Sequence, residues 1–66
     1  MANTIRISKK LVRLRGSRTQ GEVAKAIGIT RSALSNYEQG VRVPKDDIKI
    51  KIARYYRTTV QRIFFD

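Results

Sequence analysis

Two stretches of the sequence hold side chains whose types and spacing could do chemistry. The adjacent Asp46-Asp47 could present carboxylates to a hard cation. The run TRSALSNYEQG at residues 30–40 sets the guanidinium of Arg31, the amide of Asn36 and the hydroxyls of Ser32 and Ser35 among small neighbours. Sites for hard cations gather several oxygen ligands, and the acids available are Glu22, Glu38, Asp46, Asp47 and Asp66. Two acids at the start of a helix more often cap it and favour its dipole, which is the preferred reading of Asp46-Asp47. With no histidine and no cysteine, the commonest general base, the soft ligands of structural zinc and any disulfide are all missing. No enzyme, no metal and no cofactor is expected. Arg31 and Asn36 remain, each able to donate hydrogen bonds in pairs, in a run with a single acid, Glu38.

The whole chain sets the terms for that run. Fifteen Lys and Arg against five Asp and Glu give a formal net charge of +10. So large a charge repels itself and calls for a polyanionic partner. Sixty-six residues suit one domain over 1–66, and a chain this short buries only about 60% of the surface that its unfolded form exposes. The cationic start MANTIRISKKLVRLRG has no uninterrupted apolar core, and no segment approaches the ~20 apolar residues of a spanning helix. A cytoplasmic protein with no membrane partner and no small-molecule ligand is expected.

Gly16, Gly28, Gly40 and Pro44 punctuate the sequence into short segments, the pattern of an all-α domain. Residues 1–4 are expected to be loose. Ile7, Leu11 and Leu14 recur along one helical face before Gly16. Thr19 followed by Glu22 forms a capping box, so a second helix starts at Gln20, with Val23, Ala24 and Ile27 inward and Gly28 in the left-handed closing position. Thr30 caps a third helix with Ala33, Leu34 and Tyr37 inward. A fourth carries Ile48, Ile52, Ala53, Tyr55 and Tyr56, and Thr59 caps a last one with Val60, Ile63 and Phe64. IKIKIA at 48–53 alternates like a strand, yet there is no second strand-like run for it to pair with. The helical reading leaves Ile50 on the outer side.

Helices two and three are joined by so short a turn that they must cross steeply. Small Ala24 at the crossing, Gly28 in the turn, and Ile29, Leu34 and Tyr37 in the angle suit a helix-turn-helix over about residues 19–39. TQGEVAKAIGITRSALSNYEQG, the following Pro44, and IARYYRTTVQRIFF resemble the lambda-repressor-like, Cro/repressor-type helix-turn-helix transcriptional regulators of the XRE family. The resemblance rests on Thr-Gln-x-x-Val-Ala, Tyr-Glu-x-Gly and Thr-Val-x-x-Ile-Phe, and covers roughly residues 7 to 65. It implies a compact five-helix domain that binds operator DNA, commonly as a dimer, with no cofactor.

On that reading helix three enters a major groove about 12 Å wide, where carboxylates would be repelled by phosphates and bulky side chains would hold it off the bases. Its outward positions are Arg31, Ser32, Ser35, Asn36 and Gln39. Arg31 can bind guanine O6 and N7, and Asn36 can pair with adenine or hold a phosphate. The resemblance implies that Arg31, Ser32, Ala33 and Ser35 read bases, and that Gln20 contacts a phosphate while buttressing helix three. It further implies a second backbone clamp at Gly40, Val41, Arg42 and Lys45, beside Gln39. Glu38 is assigned by the resemblance to an ion pair with Arg15. The short link GSR at 16–18 leaves Arg13 as a rival to Arg15, and Gly21 stands where the family generally has a charged residue.

One small domain covers little DNA, so a homodimer on half-sites about 34–36 Å apart is expected. Ile50, Tyr55, Phe64 and Phe65 are the candidate contacts; Phe64 suits the core equally, and Phe65 could simply cover the domain end. With the chain ending at Asp66, no separate sensor domain is expected. The function expected is a repressor that binds double-stranded DNA. The competing readings are a nonspecific cationic nucleic-acid binder and a protein-interaction module on the same fold. Taken singly, Arg31, Ser32 or Asn36 is ordinary solvated surface, as Arg42 and Lys45 would be; together on an acid-poor face they favour the regulator.

Overall fold

Residues 4–65 are described by the computed structural model, and they form four α-helices and one π-helical turn: α1 (Thr4–Arg15), α2 (Gln20–Ile27), α3 (Arg31–Glu38), α4 (Asp46–Tyr55) and the turn α5 (Gln61–Phe65). Thr4 opens α1. The rest of the segment expected to be loose, residues 1–3, lies outside the described residues.

The starts of three elements follow from threonines. Thr19 Oγ1 accepts the Glu22 N–H at 3.1 Å, Thr30 Oγ1 the Ala33 N–H at 3.0 Å, and Thr59 Oγ1 the Arg62 N–H at 3.1 Å. Each satisfies one of the backbone donors that a helix start leaves free. α4 is the exception. Its cap position is Lys45, which makes no side-chain capping bond, so Asp46 and Asp47 do not cap the helix. They occupy its first turn, where negative charge is favoured by the dipole.

The end of α2 and the turn to α3 depend on Gly28, at φ +87°. Its N–H and that of Ile29 both reach the Ala24 carbonyl, at 2.9 and 3.0 Å, which folds the chain back within a few residues. α4 ends without glycine: Arg57 takes φ +56°, and the Thr58 N–H closes onto the Ala53 carbonyl at 2.9 Å.

The core is a five-way junction. Leu11, Val23, Leu34 and Ile52 are fully buried and Phe64 nearly so, one side chain from each element. α1 packs on α3 and α5, and α2 on α3 and α4. IKIKIA lies in α4, with Ile52 buried, Ile48 half-buried and Ile50 exposed. A strand would set Ile48, Ile50 and Ile52 on one face, whereas the helical period keeps Ile48 and Ile52 on one side and turns Ile50 to the other, as their burial shows.

Candidate nucleic-acid interface

The outer face of α3 begins with Arg31 and Ser32, both exposed in its first turn. Ala33, Ser35 and Asn36 are half-buried, and Gln39 is exposed just past its end. Gln39 Nε2 donates to Ser35 Oγ at 2.9 Å, so these two side chains, one turn apart, already hold each other. The Asn36 carbonyl accepts the N–H groups of Val41 and Arg42, at 3.0 and 3.3 Å. The loop bearing Arg42 is thereby tied to α3.

Glu38, the single acid of this stretch, is turned away from solvent, its side chain only 3% exposed. Arg15 Nε donates to both of its oxygens, at 2.8 and 3.1 Å, and Gln20 Nε2 to Oε1 at 2.8 Å. The guanidinium of Arg15 also donates through Nη1 to the Arg18 carbonyl at 2.7 Å. One carboxylate thus ties the end of α1, the start of α2 and the end of α3. It is Arg15, not Arg13, that reaches Glu38. A carboxylate held by charge-assisted bonds fixes the angle between helices more firmly than apolar contact alone.

At the start of α2 the Glu22 and Val23 N–H groups turn back to Thr19. The N–H groups of Gln20 and Gly21 lie ahead of the helical ladder, as the first donors of any helix do. A Cβ added to Gly21 would meet nothing within 4 Å, so nothing inside the domain demands glycine there. Gly40 is different: it has φ +76°, and a Cβ would lie 3.4 Å from the Thr4 carbonyl oxygen. Left-handed backbone and the close approach of α1 account for that glycine without any ligand. Arg42 and Lys45 are both exposed.

The candidate contacts between copies divide. Ile50 is 46% and Phe65 61% exposed. Phe64 is 2% exposed and belongs to the core, which corrects its assignment to a dimer surface: in α5 the two adjacent phenylalanines point to opposite sides, one inward and one outward. Tyr55 is half-buried, set edge-to-face against Tyr56 at 5.1 Å and lying under the Arg18 guanidinium at 5.4 Å. Lys49 Nζ sits 4.9 Å from the Phe65 ring centre.

Sequence reasoning missed the arrangement of Arg18 over the two tyrosines and the exposure of Val41 (66%). Arg18 stands in the short GSR link between helices, where no local pattern signals a contact with α4. Among the described residues no helix is long and apolar enough to cross a membrane, and no three His, Cys, Asp or Glu side chains gather as a metal site would require.

No curated protein matches the chain. A family model described as helix-turn-helix does match, over residues 9–63, which takes in the whole of α2, α3 and α4 with the later part of α1 and the first part of α5. The chain therefore belongs to the helix-turn-helix family, of the Cro/repressor (XRE) type, and is a DNA-binding transcription regulator.

Proposed function

We propose that this chain is a sequence-specific repressor that binds a two-fold symmetric operator as a homodimer, with α3 in the major groove. The observation that carries this reading is the outer face of α3. It offers Arg31, Ser32, Ser35 and Asn36 and keeps its one carboxylate buried against Arg15. A face of short polar side chains fits between base edges, and a buried acid does not repel the phosphates.

In this reading Arg31 and Asn36 specify bases through paired hydrogen bonds, while Ser32, Ala33 and Ser35 make the shorter contacts. The free N–H groups of Gln20 and Gly21, with the positive end of the α2 dipole, receive a phosphate on one side of the groove. Because Gln20 Nε2 is engaged by Glu38, its backbone carries that contact and its side chain holds the helix in place. Gly40, Arg42 and Lys45, beside Gln39, receive phosphate on the other side. Ile50 and Phe65 supply the contact between copies.

Selection from a random duplex pool at near-physiological salt tests the reading. Enrichment of an inverted repeat with half-sites about one helical turn apart, 34–36 Å, is the expected result. A pool that stays flat, with binding that collapses uniformly as salt rises, would replace sequence readout with general attraction to phosphate.

A further inference from the structure

Away from α3, two hollows meet at Leu14. The larger, about 460 Å³, is walled by Arg18, Tyr55, Tyr56 and Arg57. The smaller, about 170 Å³, has Ile63 and Thr58 in its floor and Arg13 and Arg62 on its rim. Among the described residues no acid lines either one. Arg18 stacks over both tyrosine rings, 5.4 and 5.8 Å from their centres, and donates to the Leu14 carbonyl at 3.3 Å, so its charge is held in position at the junction. Arg13, Arg57 and Arg62 make no ion pair with any described residue.

No residue of α3 lines either hollow, and the smaller one lies across α1 from α3. Ser8 and Arg15 mark the side of α1 that meets α3 and its following loop, through Gly40 and Glu38. Residues in an α-helix advance by about 100° each; Arg13 is therefore turned roughly 160° from Arg15 about the helix axis. A ligand in the hollows does not occupy the outer face of α3.

We propose that this double hollow is a docking surface for a partner protein, engaging an acidic segment that carries an aromatic or aliphatic anchor. Four arginines that face no acid among the described residues favour negative charge, and charge complementarity of this kind steers association and fixes its register. The floors of Leu14, Ile63 and the tyrosine rings require an apolar group as well. A larger volume within the range of ligand pockets, about 300–1,000 Å³, accepts an aromatic side chain, and an aromatic there continues the edge-to-face set begun by Tyr55 and Tyr56. A duplex presents its phosphates but keeps its bases stacked inside, so it has the charge and no free apolar group for those floors, which is why an acidic polypeptide is preferred to a second stretch of double-stranded DNA.

The test is a titration of the isotope-labelled protein, followed by NMR, with a random copolymer of glutamate and tyrosine, with polyglutamate and with a random-sequence DNA duplex. The copolymer is expected to shift the amides of Leu14, Thr58 and Ile63. It should also bind about tenfold more tightly than polyglutamate because it alone supplies the anchor. The double variant Arg13→Glu/Arg62→Glu, both exposed positions, should weaken copolymer binding about tenfold or more. The control Lys25→Glu/Lys51→Glu, equal in charge and exposed elsewhere, should change it less than about threefold; retained spectra establish that both variants fold. Equal loss in the two variants, equal affinity for polyglutamate, or copolymer shifts confined to α3 would each overturn the proposal. Duplex DNA shifting the hollow residues would overturn it in favour of a nucleic-acid surface.

Discussion

At the scale of single residues, specificity and stability are carried by different side chains. The Arg31 side chain is exposed and makes no hydrogen bond or ion pair with a described residue, so Arg31→Ala is expected to leave folding intact and relax preference at one base position. The loss of about 1–3 kcal/mol should be confined to that position in a binding assay over a mutated operator; uniform weakening would reassign Arg31 to the phosphates. Glu38 behaves in the opposite way. Glu38→Ala strands Arg15 and frees Gln20, and urea unfolding should show a loss near 3 kcal/mol, the low end for a buried pair, because Arg15 keeps 21% of its side chain exposed. Tyr56 is a third kind of residue. Its hydroxyl is buried without a hydrogen-bond partner, and burial first, then the charge of Glu38, push it up from 10.0 to about 12, against the pull of Arg18 and Arg15. Below pH 10 the phenol is protonated folded and unfolded. Between pH 10 and about 12 the unfolded chain ionises and the native one does not, so native stability falls across that window. Tyr56→Phe removes both effects. It should equal or exceed the wild type by up to about 1 kcal/mol at neutral pH, and urea unfolding at higher pH should show its advantage widening above pH 10.

At the scale of elements, α2 places stability and binding in conflict. Gly21 weakens the helix, and the space around it admits a Cβ, so Gly21→Ala should raise thermal stability by roughly 0.5–1 kcal/mol. The same methyl would stand between the backbone and an approaching phosphate. DNA affinity is therefore expected to fall as stability rises, measured by calorimetry and by operator binding on the same preparation. Affinity unchanged by Gly21→Ala would remove the backbone of α2 from the phosphate contact. The capping threonines at 19, 30 and 59 were legible because their bonds are local, whereas the Asp46-Asp47 pair, read as a cap, turned out one position too late to close the helix start.

At the scale of the whole molecule, the Cα trace measures 29 × 22 × 21 Å. Two copies centred about 34–36 Å apart on adjacent half-sites can touch only if side chains project from facing ends. Phe65, 61% exposed at the end of the last element, is the side chain suited to bridge that gap. Phe65→Ser is expected to leave the monomer's folding intact and to reduce cooperative binding to a full operator, while binding to an isolated half-site is unchanged. Band-shift titrations on both duplexes measure this, and equal effects on the two would remove Phe65 from the contact between copies.

The sequence by itself determined the helical segments, the tight turn at Gly28, the polar outer face of α3 and the family, because caps, turn glycines and 3.6-residue periodicity act within a few residues of one another. It also narrowed the partner of Glu38 to two arginines. Only the tertiary structure decided between Arg13 and Arg15, turned Phe64 inward and Phe65 outward, and set Arg18 over the tyrosines of α4. Each of those outcomes depends on how elements distant in sequence are rotated against one another. That rotation is fixed by packing around Leu11, Val23, Leu34, Ile52 and Phe64, which no single segment of the chain contains.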